Sequence, residues 1–308
     1  MTSTDIASRP PAREGARSPL RARRLRGSVG NGLVREVALV AGAMLVYFGV
    51  RNLTAGAPDE AFANGQRIAN FEGWLGIDWE DAVQASIVGS DVLVMLANWV
   101  YIWGHWPVIL STAVVLYLWR RDRYYVLRNA FFISGGIGFL FFALVPVAPP
   151  RLLELGLVDT VSSQSDAYRA LQPPGLTNQY AALPSLHIGW DLAVGIVLFT
   201  TTAHLAVRAF AVIAPLAMGF AVVATANHFV VDVAAGVAVV LVGLAGALLI
   251  EKSRAADAAT LAGDEWAVSP VERDQPFAPT AIPRRTPRRE SPQRSLGGRT
   301  AQNDPCRS

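Results

Sequence analysis

The sequence predicts an all-α fold, a polytopic membrane protein built as a bundle of six transmembrane helices. Of its 308 residues, 52% are hydrophobic and 17% are charged, a balance more apolar than that of an ordinary soluble domain. The apolar residues fall in long runs, and most runs approach the ~20 residues that a helix needs to cross hydrocarbon. Arginines cluster beside these runs in a pattern that gives the helices one consistent orientation.

The chain divides into a membrane domain and two polar tails. Residues 1–32 are rich in Arg, Pro, Ser and Gly and hold few large apolar residues, so we expect a disordered tail. Residues 33–252 form the membrane domain. Residues 253–308 include the basic stretch PRRTPRRE, and we expect a second disordered tail there. The single cysteine, Cys306, excludes a disulfide framework and a thiolate metal cluster.

Six apolar runs predict the spans in order, at residues 37–50, 87–119, 127–145, 186–202, 205–226 and 229–250. The second run is too long for one straight helix, and GHWP in its middle predicts a kink at Pro107. Counting this run as one helix places RRDR at 120–123 on the same side as both basic tails, which the positive-inside rule assigns to the cytoplasm. The sequence therefore predicts a multi-pass plasma-membrane protein with both termini cytoplasmic.

This topology brings three motifs to the outer face. His187 opens the fourth helix within LPSLHIGWD, and His228 stands at the start of the sixth within NHFVVDVAAG. The chain between them has about the length of one helix down and one helix back, at ~1.5 Å per residue. The third helix ends at the same face, where PVAPPRLLELG holds Arg151. We therefore expect the three motifs to meet at one depth.

The motifs PVAPPRL, PSLH and NHFVVDVAAG resemble the type 2 phosphatidic acid phosphatase superfamily. The resemblance is to the branch related to inositol phosphorylceramide synthase, and it covers roughly residues 35–250. It implies that His228 is the nucleophile that attacks phosphorus and that Asp232 orients it. It also implies that His187 protonates the leaving oxygen, in an outer-face active site without metal or cofactor. The remaining implied residues hold the phosphate and are Arg151 and Ser185.

The chemistry of these residue types supports the same roles. A histidine pKa near ~6.5 allows one ring to be neutral and another protonated at working pH. Asp232 follows His228 by four residues on one helix face and can accept its ring N–H, which frees the opposite nitrogen. Ser185 precedes a helix whose first backbone N–H groups point toward a bound anion. Arg151 offers a permanently charged, bidentate clamp for phosphate oxygens.

Two cations of the wider superfamily are missing. Its better-known members carry a lysine seven residues before the first-motif arginine, where this chain has Leu144 before Arg151. They also carry Ser-Arg six residues ahead of the nucleophile, where this chain has Ala221 and Val222. The synthase-related branch lacks that Ser-Arg pair too, so its absence favours the branch. Three arginines expected outside are candidates to compensate: Arg51, Arg67 and Arg169.

Three further residues are candidate supports of the site. Asp191 follows His187 by four residues, and it either orients that ring or packs between helices. His105 and Tyr101 lie in the kinked second helix as Y-x-x-x-H, a pattern that resembles one in the same branch. For His105, an interhelical hydrogen bond is the favoured interpretation.

Two outer segments are expected to shape substrate access. Residues 58–86 mix acids with large aromatic residues, as an amphipathic segment on a membrane surface does, and they either guide a lipid tail or pack as a lid. Residues 146–183 are longer than most structureless connections, which favours a cap over the catalytic centre.

The sequence thus predicts a lipid-phosphate phosphatase that acts through a phosphohistidine at the outer face of the plasma membrane. One alternative is a phosphotransferase that moves a phospho-head-group between lipids. A second is a transporter that uses His and Asp as a proton relay, and a third is a phosphatase-like binding protein without turnover. The expected partners are a lipid phosphate and membrane lipids, with no nucleic acid, while the oligomeric state is left open.

Overall fold

The computed structural model describes residues 32–43, 45–46, 49, 58–161 and 178–267. The chain divides into a main unit, Met1–Asp257, and a second unit, Ala258–Ser308. The regular structure of the described residues is helical apart from one isolated bridge between Val147 and Ala181. The predicted all-α class is therefore confirmed.

The described helices follow in chain order. They are α1 (residues 32–43), α2 (Pro58–Leu75), α3 (Glu80–Val88), α4 (Asp91–Trp103), α5 (Trp106–Trp119), α6 (Arg121–Leu144), α7 (Leu186–Thr201), α8 (Leu205–Ala224) and α9 (Val230–Ala267). A 3-10 turn, Pro150–Leu152, follows α6.

Three of these helices are long and apolar enough to cross a membrane: α6, α8 and α9 as far as Thr260. The pair α4 and α5, bent by 42°, counts as a fourth if it is one broken span, and α7 is a shorter apolar helix. The break falls just before Pro107, which lies in the first turn of α5. This agrees with the predicted kink, because proline lacks the N–H that a continuous helix needs at this position. The predicted first span at 37–50 lies partly outside the described residues, so six spans stay a prediction.

The helices expose large apolar side chains and bury polar ones. This pattern suits contact with lipid, since a soluble monomer rarely exposes extended apolar patches. The exposed residues include Leu110, Val114 and Leu118 on α5, Ile213, Leu216 and Phe220 on α8, and Leu248 and Leu249 on α9. The structure thus agrees with the predicted membrane protein.

Two glycines bring α7 and α9 into backbone contact. A Cβ on Gly189 of α7 would lie 2.8 Å from the carbonyl oxygen of Gly236, so no side chain fits there. A Cβ on Gly236 of α9 would overlap the carbonyl of Ser185. Small residues allow this close approach at helix crossings in membranes. The crossing holds the start of α7 against the start of α9, where the predicted histidines lie.

The last helix continues beyond residue 252, where the sequence places the start of a disordered tail. It runs to Ala267. Residues 251–267 are rich in Ala, the strongest helix former, and the first proline of the tail is Pro270. Local helix propensity therefore extends the helix past the end of the apolar run.

Candidate active site

His228 lies in a tight turn between α8 and α9. The backbone N–H groups of Asn227 and His228 both donate to the carbonyl of Val222, at 3.0 and 3.1 Å. Ala226 takes a positive φ of 54°, which is uncommon for a residue with a side chain. The turn places the His228 ring in the interior, 4% exposed.

The hydrogen bonds of His228 define its tautomer. Its Nδ1 lies 2.8 Å from the carbonyl oxygen of Ala182 and 3.5 Å from Oδ2 of Asp232. A carbonyl oxygen only accepts, so Nδ1 carries a proton, and in the neutral ring Nε2 then keeps its lone pair. Asp232 was expected to be the direct partner of the ring. Its Oδ2 instead accepts the Phe229 N–H at 2.8 Å and supports the imidazole from a longer distance.

His187 lies among three other rings. Its ring centroid is 4.7 Å from that of Tyr101, 4.5 Å from that of His105 and 5.8 Å from that of His228. Tyr101 lies in the last turn of α4, His105 lies in the break before α5, and His187 lies in the first turn of α7. The broken helix therefore packs directly against His187, which in turn lies beside His228.

Asp191 contacts His105. Its Oδ1 lies 3.0 Å from His105 Nδ1, and both side chains are buried. This contact gives His105 an interhelical hydrogen bond, and it gives Asp191 a partner other than His187. Asp191 therefore contacts His105, whose ring centroid lies 4.5 Å from that of His187 with the two planes tilted by 40°.

Arg151 is fixed to the turn that carries His228. Its backbone N–H donates to Ala226 at 3.0 Å, and its Nη1 donates to Oδ1 of Asn227 at 2.6 Å. Its Nε also lies 3.3 Å from Oδ2 of Asp159. The guanidinium is thus held beside the turn by one carboxylate and one amide.

Ser185 precedes α7 and bonds to α9 through its backbone. Its N–H donates to the carbonyl of Asp232 at 3.0 Å. Its hydroxyl is fully buried and, within the described part of the chain, has no hydrogen-bond partner. A buried hydroxyl without a partner costs free energy, so this group is available to a substrate oxygen.

Of the compensating arginines considered above, one lies within the described residues. Arg67 is exposed on α2 and donates to Oδ1 of Asn64 at 2.7 Å. Arg51 and Arg169 lie outside the described ranges.

Two residues at the site were not predicted from the sequence, Glu72 and Glu80. Both are buried, and each accepts a backbone N–H from the first turn of α9. Their segment alternates acids and aromatics, which indicates an amphipathic helix but does not reveal which face lies inward. Over the ranges that the structure describes, no group of three or more His, Cys, Asp or Glu side chains is arranged to hold a metal ion.

Comparison with known proteins identifies a family. The PAP2_3 family model, described as PAP2 superfamily, matches residues 66–246, more than half of the chain. No curated protein gives a significant match. Among solved structures, the crystal structure of Aquifex aeolicus LpxE is similar, with 14% identity and a TM-score of 0.45 over 56% of this chain and 93% of that one.

Proposed function

This chain belongs to the PAP2 superfamily, and on that premise we propose that it is a membrane lipid-phosphate phosphatase with His228 as its nucleophile. The observation that carries the proposal is the pairing of the buried ring of His228 with the partly buried ring of His187. His228 has its Nδ1 proton committed to Ala182, which leaves Nε2 free, and the His187 ring lies 5.8 Å away.

The first step forms a phosphohistidine. Nε2 of His228 attacks phosphorus while the bond to the ester oxygen breaks, and protonated His187 gives its proton to that oxygen. The phosphorylated ring gains positive charge, which the Ala182 carbonyl and the carboxylate of Asp232 stabilise. The alcohol leaves with the proton, and His187 becomes neutral.

The second step returns the enzyme to its starting state. Neutral His187 removes a proton from water as the water oxygen attacks phosphorus. The phosphorus–nitrogen bond breaks, its electron pair returns to Nε2 of His228, and inorganic phosphate is released. His187 is then protonated again for the next cycle.

Groups around the rings of His187 and His228 bind the phosphate. The unpartnered hydroxyl of Ser185 and the first N–H groups of α7 suit an anionic oxygen. Arg151 supplies a permanent positive charge from the 3-10 turn that is hydrogen-bonded to Ala226 and Asn227. No metal or cofactor enters these steps.

The branch resemblance supports an alternative in which a hydroxyl of a second lipid replaces water in the second step. The first step is then unchanged, and the product is a new phosphodiester. A proton-relay transporter would instead spread its ionisable groups along the membrane normal. The contacts among His105, Asp191, His187 and His228 gather these groups in one cluster, which favours an enzyme.

We expect purified protein to release labelled inorganic phosphate from a phosphorus-labelled lipid phosphate without any added alcohol. The test screens several lipid phosphates and repeats each reaction with inositol- or sugar-bearing acceptors, which should leave the rate unchanged. Label that moves into a phosphodiester only when an acceptor is added would establish the transferase instead. Binding of lipid phosphates without release or transfer would establish a binding protein without turnover.

We also propose that the site faces outward and that the Arg-rich loop before α6 faces the cytoplasm. Single cysteines at Glu154 and Asp122, both exposed, test this in a background in which Cys306 is replaced by Ser. On intact cells, an impermeant thiol reagent should label the cysteine at position 154 and spare the one at 122. Permeabilised cells, in which both should react, provide the control. The opposite pattern would reverse the orientation.

A further inference from the structure

The helices α2 and α3 each turn one glutamate inward, while two tryptophans of the same segment point outward. Glu72 is 0% exposed and Glu80 is 6% exposed, while Trp74 and Trp79 are 78% and 55% exposed. An isolated buried carboxylate is costly, so burial of two such groups requires specific partners.

Those partners are the first N–H groups of α9. Val230 donates to Oε1 of Glu80 at 2.8 Å, and Val231 donates to Oε1 of Glu72 at 2.6 Å. Together with the Phe229 bond to Asp232, three successive N–H groups each meet a different carboxylate. A helix leaves these groups without intrahelical partners, and its N-terminal dipole favours negative charge beside them. The three bonds begin directly after His228.

Glu72 and Glu80 contact each other as well as α9. Their side chains are hydrogen-bonded to each other, and two carboxylates in contact cannot both be ionised at low cost. Oε2 of Glu72 is buried and, among the described residues, receives no N–H, so it is the oxygen placed to carry the proton. Burial, followed by the bond to Glu80, raises the pKa of Glu72 to about 8.

We propose that Glu72 and Glu80 are positioning residues, a proton-sharing carboxyl pair that fixes the first turn of α9 and thereby the placement of His228 and Asp232. The proposed function enters only through the catalytic role of His228. The charged groups that face Glu72 are Glu80 on α3 and Asp232 on α9, with His228 beyond Asp232. Loss of the shared proton would place three carboxylates together and weaken the contact of α2 and α3 with α9.

The resulting pH dependence has a definite sign. The folded pKa of Glu72 lies above the ordinary value of 4.5, so the folded state holds a proton that the unfolded state has released. The protonated Glu72 therefore contributes its full amount to the free energy of unfolding below about pH 4.5, and this contribution is lost as the pH rises toward about 8. Glu72→Gln mimics the protonated acid, because its Oε1 can accept from Val231 and its Nε2 can donate to Glu80.

The decisive measurement is the unfolding midpoint of detergent-purified protein, followed by tryptophan fluorescence between pH 5 and pH 8.5. The unfolding midpoint of the wild type should fall by at least ~3 °C as the pH rises across this range. The midpoint of Glu72→Gln should fall by less than half as much. Glu60→Gln, which removes a charge from an exposed position of the same helix, should behave as the wild type does. Parallel curves for wild type and Glu72→Gln would overturn the proposal, as would failure of Glu72→Gln to fold where Glu60→Gln folds.

Activity provides a second readout wherever a lipid phosphate is turned over. At pH 6 the kcat of Glu72→Gln should stay within ~3-fold of the wild-type value. The kcat of Glu72→Ala should fall by at least ~10-fold, because the Val231 N–H in the first turn of α9 then loses its acceptor. Equal losses in the two variants would overturn the positioning role. If the wild type turns over no lipid phosphate, the proposed function is wrong. The stability measurement then still tests whether the carboxyl pair fixes the first turn of α9.

Discussion

His228→Ala should remove turnover of the lipid phosphate almost completely, with a loss of at least ~10³-fold in kcat. The ring supplies the atom that bonds to phosphorus, so no neighbouring group can take its place. Labelled substrate mixed with wild type and quenched in alkali should leave label on the protein that is released by acid, as a phosphorus–nitrogen bond requires. His228→Ala should carry no such label.

Two variants make this result specific. Asp232→Asn should retain at least ~10-fold more activity than His228→Ala. The carbonyl of Ala182 still accepts the Nδ1 proton in that variant and keeps the required tautomer. His204→Ala changes an exposed histidine at the start of α8 and should keep wild-type activity. Full activity in His228→Ala would exclude the proposed nucleophile.

The sequence predicted where the chemistry-bearing residues meet because that placement depends on helix lengths and connections. Apolar runs and arginine positions were enough to bring Arg151, which follows the end of α6, to the level at which α7 and α9 begin, where Ser185, His187 and His228 lie. The kink before Pro107 was predictable for a similar reason, since proline acts on the backbone around it. These signals are local, and a single sequence contains them.

The finer partners depend on contacts that the sequence does not encode locally. Asp191 pairs with His105 across 86 positions, and the bond of His228 goes to the backbone carbonyl of Ala182, which no residue type reveals. Glu72 was missed because an amphipathic pattern of acids and aromatics does not reveal which acids lie inward. In the structure Glu72 and Glu80 lie inside, where two backbone N–H groups of α9 donate to them.

His187→Ala should show a defect that depends on the leaving group. With a lipid phosphate the departing alkoxide is strongly basic and needs a proton, so loss of the acid should cost ~10²- to 10⁴-fold. With p-nitrophenyl phosphate the departing phenolate is stable without a proton, and the first step should be nearly as fast as in the wild type. Equal losses on both substrates would contradict the role of His187 as the acid.

The second half of the cycle gives the same variant a further signature. Without His187, no base removes the proton from the attacking water, so the phosphohistidine formed from p-nitrophenyl phosphate should accumulate. We expect a burst of nitrophenol that approaches one equivalent per enzyme, followed by slow steady release, and acid-labile label that persists on the protein. The double variant His187→Ala with His228→Ala should give no burst, because it lacks the ring that accepts the phosphoryl group. A burst in the double variant would show that another residue is the nucleophile. A single slow phase in His187→Ala would show that His187 is needed to form the intermediate even when the leaving group requires no proton.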